Sequence, residues 1–215
     1  MTDHDDPLRL SATEARILGS LIEKEATTPE QYPLTQNAVQ LACNQKTSRE
    51  PVMNLQPGEV GHALRQMEQR RLVRSIHAAR AQRYEHLATQ AYGLTRQQQA
   101  VIALLLLRGA QTAGELLARS ERLANFADAE DMTHCLARLI QREPALIAKL
   151  PRLPGQREDR YAHLLSGDID LEALAASVRS EPTRGDTAQR LADLEARVEA
   201  LEQALQALQS QSKAV

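Results

Sequence analysis

The sequence predicts a mainly α protein with small β-hairpins, of the α+β class, built as two copies of one unit followed by a terminal helix. Three observations predict it. The phrase "RAQRYEHL" at 80–87 returns as "REDRYAHL" at 157–164, with five of eight letters shared. A stripe of aliphatic residues at helical spacing recurs 84 positions along the chain. Near the end, Leu191, Leu194, Val198, Leu201, Leu205 and Leu208 are spaced 3, 4, 3, 4, 3.

The first helix of each copy is read from "LSATEARILGSLIEK" (10–24) and "LTRQQQAVIALLLLR" (94–108). Ile17, Leu18, Leu21 and Ile22 fall on Val101, Ile102, Leu105 and Leu106, one buried stripe written twice. Each begins with a capping box, Ser11 with Glu14 and Thr95 with Gln98. The hydroxyl accepts the amide of the third helical residue while the longer side chain reaches back. The second helix of the later copy opens on another such pair, Thr112 with Glu115. In the earlier copy "LTQNAVQLACN" (34–44) places Val39, Ala42 and Cys43 on one face. Third helices follow from "PGEVGHALRQMEQRR" (57–71) and "AEDMTHCLARLIQRE" (129–143), where Val60, Leu64 and Met67 align with Met132, Leu136 and Leu139.

The periodicity then changes to strand, polar turn, strand. Leu72, Val73 and Ile76 open the first hairpin, and Tyr84 and Leu87 close it. Leu146, Ile147 and Leu150 open the second, closed by Tyr161 and Leu164, with Pro151 and Pro154 suited to its loop. Three helices and a hairpin make a winged helix, so the repeated phrase is the returning strand of two wings. Its tyrosines and the matching His86 and His163 read as packing and strand-edge residues. The expected organisation is a winged-helix domain at 1–90, a second at 91–166, a linker with a short helix at 167–187, and a coiled-coil helix at 188–211. Each winged helix is expected to close its own aliphatic centre.

The stretches "TTPEQYPLTQNAVQLACNQKTSREPVMNL" (27–55) and "LLLRGAQTAGEL" (105–116) resemble the YceH family of uncharacterised bacterial proteins. The resemblance spans roughly residues 9–166. It implies a tandem winged-helix fold and brings no activity, cofactor or catalytic residue with it.

Charge points to one surface. The net charge is -2, but residues 46–83 hold eight Lys and Arg against three Glu, net +5. Only the first copy carries the insert "NQKTSREPVMNL" (44–55) between its second and third helices. A plain helix-turn-helix has a turn of about three or four residues there. The insert lies beside the end of the third helix that reads base edges in helix-turn-helix complexes. Lys46 and Arg49 are candidate phosphate contacts; His62, Arg65 and Gln69 lie along the helix's exposed side; Arg80 and Arg83 on the wing reach a flanking groove or backbone. The alternative is an ordered loop that spaces two helices and binds nothing. The second copy opens its third helix with Asp128, Glu130 and Asp131, which suit the helix dipole but repel phosphate, and it is expected to be structural or protein-facing.

In the tail, Leu191 at position a places Arg190 and Arg197 at g and Glu195 and Glu202 at e. In a parallel pair these meet as opposite charges, so a parallel homodimer is expected, with a helix folded back on the body as the alternative.

No catalytic pattern is present: no phosphate-binding loop, GxGxxG, HExxH or GxSxG. Cys43 and Cys135 fall on apolar faces and read as core residues, while Glu23 and Glu25 read as surface charge. No cofactor or metal site and no enzyme activity is expected. Aromatics make up 2% of the chain, too few for base-stacking platforms. The longest apolar run, 100–107, is too short to span a bilayer, and no signal peptide is visible, which points to the cytoplasm. The two functional readings are a dimeric binder of double-stranded DNA, resembling a transcription regulator, and a protein-interaction adaptor that does not touch DNA.

Overall fold

A computed structural model describes residues 8–77, 81–152, 157–167 and 169. In the first copy, α1 (Ala12–Thr27) leads through a 3-10 turn (Pro29–Gln31) into β1 (Leu34–Thr35), α2 (Gln36–Cys43) and α3 (Pro57–Gln69). Strands β2 (Val73–His77) and β3 (Gln82–His86) follow, then the short α4 (Ala88–Tyr92). The second copy runs α5 (Arg96–Arg108), β4 (Gln111–Thr112), α6 (Ala113–Ser120), α7 (Ala129–Ile140), β5 (Ile147–Lys149) and β6 (Arg160–His163). The result is a mixed α+β fold in which three longer helices and a small antiparallel sheet occur twice.

The helix starts lie where the capping chemistry puts them. Ser11, Thr95 and Thr112 each accept the amide of the third helical residue and receive its side chain in return. The aligned stripes are buried in both copies, including Val60, Leu64 and Met67 of α3 and Met132, Leu136 and Leu139 of α7.

The expected hairpins are three-stranded sheets. Leu34 of β1 pairs with Tyr84, and Gln111 of β4 pairs with Tyr161, giving the orders β1-β3-β2 and β4-β6-β5. The added strands have two residues each, too few to show any alternation. The returning strands are therefore central, with their tyrosines flanked on both sides.

The expectation of two separate aliphatic centres does not hold. The buried residues of both copies form one continuous cluster. Residues 100–107 of α5 are buried all the way round, and so are 14–22 of α1. A helix that is apolar on every side must be covered on every side, and one small copy cannot do that alone. The two helices supply the missing cover for each other, and Gly19 lets them approach. A Cβ built there would lie 2.9 Å from Leu107 Cγ and 3.1 Å from Leu106 Cβ. The boundary expected between 90 and 91 falls inside α4, whose Ala88 and Tyr92 are buried. The chain is also tied across the copies at its start, where Leu10 N–H donates to Leu165 O at 2.7 Å.

The linker and coiled-coil region at 170–215, Arg80 and Pro154 lie outside the described residues, as do the seam positions Leu191, Leu194, Val198, Leu201, Leu205 and Leu208.

Candidate nucleic-acid interface

Helix α3 is laid down by its neighbours before it presents anything. Its inner face is Val60, Ala63, Leu64 and Met67, all buried. Near its start, Gly61 backs onto the side chain of Gln36, whose amide donates to Pro57 O at 2.8 Å. That contact fixes α2 against the first turn of α3. The outward face carries His62, Arg65, Gln66 and Gln69, all exposed, at the i, i+3, i+4, i+7 spacing of one helix side. The two acids of the helix are engaged elsewhere. Glu59 accepts Gln56 N–H at 2.7 Å, and Glu68 accepts Ser75 N–H at 2.9 Å.

The insert is a built structure over most of its length. Asn44 holds its far end in both directions, accepting Leu55 N–H at 2.8 Å and donating to Leu55 O at 2.9 Å. Gln40 donates to the same carbonyl at 3.0 Å. Arg16, buried in α1, donates to Cys43 O at 3.1 Å and Pro51 O at 2.6 Å. Burial and the nearby Arg49 pull the Arg16 pKa down from its ordinary value. The insert also grips the second copy: Glu50 N–H donates to Leu107 O at 2.8 Å, and Arg108 donates to Ser48 Oγ.

Arg49 is not a phosphate contact. Its side chain is 0% exposed and forms a two-point ion pair with Glu23, at 3.1 and 2.6 Å. It also donates to Ala42 O at 3.0 Å, Ser48 O at 2.9 Å and Gln45 Oε1 at 2.9 Å. The carbonyls at the end of α2 and in the turn after it need donors, and a guanidinium with five N–H groups supplies them. Arg83 is likewise committed, donating to Pro33 O at 2.7 Å and Gln31 O at 3.3 Å, which braces the turn ahead of β1. The Arg49 side chain is not free to meet a ligand, and Arg83 has one of its terminal nitrogens committed to the turn. Glu23 and Glu25, expected as plain surface charges, pair with Arg49 and His86.

Of the proposed contacts among the described residues, the structure leaves Lys46, His62, Arg65 and Gln69 exposed. The last three share the outer side of α3, and Lys46 stands on the outer edge of the insert with Thr47. Neither Lys46 nor Arg65 makes a hydrogen bond or ion pair among the described residues. Two further exposed side chains escaped the sequence reading: Leu41 on α2, 63% exposed, and Val52 in the insert, 57% exposed. Leu41 falls outside the stripe of Val39, Ala42 and Cys43, so the helical period already marked it as outward.

The second copy uses its acids structurally. Asp128 caps α7 by accepting Asp131 N–H at 2.9 Å, and Asp131 accepts from Gln97 at 2.8 Å and Ala127 N–H at 3.1 Å. Arg142 braces the junction between copies by donating to Gly93 O at 3.1 Å.

Both cysteines are core residues, and burial pushes each thiol up to about 11. Such thiols stay protonated near neutral pH. Among the described residues no three His, Cys, Asp or Glu side chains group as a metal site would need, and no helix is long and apolar enough to cross a membrane.

Comparison with known proteins finds a match over residues 10–156 to the family described as "Protein of unknown function, DUF480". A UPF0502 protein of Xanthomonas axonopodis pv. citri is 60% identical over 216 residues, covering 100% of this chain and 96% of that protein. UPF0502 proteins of Pseudomonas paraeruginosa and Stenotrophomonas maltophilia are each 56% identical, covering 90% and 92% of this chain and 86% and 93% of their own lengths.

Proposed function

The chain belongs to the DUF480 family, uncharacterised bacterial proteins as the YceH resemblance implied, and since no activity comes with the family, we propose from its own surface that it binds double-stranded DNA as a dimer. In this reading each copy is a winged helix, with α3 as the groove-facing helix of the first and β2–β3 as its wing. The observation that supports it is the outer face of α3. His62, Arg65, Gln66 and Gln69 stand there exposed, the acids of the same helix are satisfied elsewhere, and Arg65 and the nearby insert's Lys46 make no hydrogen bond or ion pair among the described residues. The role is non-catalytic. Dimerisation rests on the heptad seam from Leu191 to Leu208, and a two-fold pair would address half-sites about 34 Å apart.

The test is binding of the full chain to labelled random duplex DNA at two salt concentrations. Affinity should fall steeply with salt as counterions are released. Replacing Lys46 and Arg65 together by Ala should weaken binding and reduce the salt slope by about 2, roughly one for each phosphate no longer neutralised. A folded protein that does not bind at low salt, or a double variant of unchanged affinity, refutes this reading. Sedimentation of a chain ending at Gly185 should report monomers.

A second reading, a protein-interaction adaptor, is favoured by Leu41 and Val52, two large apolar side chains left exposed on the first copy. Under it, the chain would not bind duplex DNA even at low salt, and Leu41→Ser would abolish partner binding.

A further inference from the structure

A cavity of about 350 Å3 opens at the junction of the two copies, between the C-terminal part of α1, α4 and the start of α5. Ile22 and Leu123, both buried over most of their surface, give it apolar walls. Charged groups face it from opposite copies: Glu25 from α1 and Arg96 from α5. Glu25 is held in place. His86 Nε2 lies 2.9 Å from its Oε2, while the other ring nitrogen accepts Ala88 N–H at 3.3 Å. The ring therefore carries its proton on Nε2 and donates it to the carboxylate. His86 is itself buried, so this support is rigid, and the Glu25 side chain remains 51% exposed toward the cavity side.

Glu25 and Arg96 sense each other without touching. The hydrogen bond from His86 lowers the Glu25 pKa most, and the Arg96 charge lowers it further. Yet the two form no ion pair, and Arg96 has no hydrogen-bonding partner among the described residues. Arg96 keeps its full donor capacity for a ligand, and Glu25 keeps the acceptor capacity that His86 does not use. A simple anion would satisfy Arg96 and be repelled by Glu25; a simple cation would meet the reverse. A ligand with both charges satisfies both. The volume lies at the small end of the roughly 300 to 1,000 Å3 typical of ligand sites, which suits a small metabolite and not a nucleotide.

We propose that this cavity binds a small zwitterion with an apolar tail, the chemistry of an aliphatic α-amino acid: its carboxylate on Arg96, its ammonium on Glu25, its side chain on Ile22 and Leu123. Guanidinium and carboxylate match in a two-point geometry, and a carboxylate pre-set by a buried histidine loses little freedom on binding. The site goes beyond the DNA reading and does not depend on it.

Calorimetric titration of the full chain with L-leucine, L-valine and L-methionine tests it. L-leucine should bind saturably, while N-acetyl-L-leucine, lacking the ammonium, and L-leucinamide, lacking the carboxylate, should each bind about tenfold more weakly or worse. Arg96→Gln should remove the preference for L-leucine over L-leucinamide, and Glu25→Gln the preference over N-acetyl-L-leucine. Arg96 is exposed and unpaired among the described residues, so its variant remains informative even if Glu25→Gln disturbs His86. No saturable binding by any of the three amino acids overturns the proposal, as does equal affinity for L-leucine and its two blocked forms.

Discussion

Replacing Arg49 by Ala should destabilise the protein far more than it weakens any contact with DNA. The guanidinium donates to three protein carbonyl or amide oxygens besides its two bonds to Glu23. Truncation would leave the Glu23 carboxylate, 18% exposed, with only the longer contact to Lys24 at 3.7 Å as counter-charge, and the end of α2 without its donors. Breaking a buried ion pair by deleting one member costs about 3 to 5 kcal/mol. Glu23 keeps some access to water, which places the expectation at the low end, about 3 kcal/mol. At about 2 to 4 °C per kcal/mol for a unit of this size, Tm should fall by roughly 6 to 12 °C. Thermal and urea unfolding followed by circular dichroism measure this directly. Lys46→Ala, in the same insert but exposed and unpaired among the described residues, is the control and should stay within about 0.5 kcal/mol of the parent. If Arg49→Ala matched that control in stability while lowering DNA affinity, the structural role assigned to Arg49 would be wrong.

Gly19→Ala should be destabilising by about 1 to 2 kcal/mol, although the same change in an exposed helix gains up to about 1 kcal/mol. The new Cβ meets the Leu107 branch point, so α1 and α5 must part; a stabilised variant in urea unfolding would contradict this. His163 should make stability pH-dependent. Burial alone pushes its pKa down from 6.5 to about 4, and its Nδ1 has no hydrogen-bonding partner among the described residues. The unfolded chain takes up the proton first, so the stability is fully present above pH 6.5 and is lost as pH falls through 4. The upper limit is roughly 3 kcal/mol. Urea unfolding across that range should show the loss, and His163→Leu should flatten it; an identical profile in the variant would mean another group is responsible.

The capping pairs Ser11–Glu14, Thr95–Gln98 and Thr112–Glu115 were legible because each signal lies within four residues. The strand pair bearing Tyr84 and Tyr161 was legible because the chain writes it twice. Strands β1 and β4 were not, since two residues show no period and their pairing partner lies about 50 positions away in each case. On the candidate surface, His62, Arg65 and Gln69 follow from the helical period, which fixes which side of α3 faces out. Arg49 and Arg83 could not be placed that way. In a loop or a short strand, nothing local decides whether a guanidinium points to water or to carbonyls elsewhere in the fold, and here both meet carbonyls.

The amino-acid sequence by itself determined the local units: where helices begin, which faces are apolar, and that the pattern occurs twice. Only the tertiary structure decided that the two copies share one core and that the insert is bolted across them through Glu50, Ser48 and Arg108. The physical reason is range. Caps and periodicity act over a few residues, whereas burying α5 on all sides depends on a helix that the chain places more than 80 positions earlier.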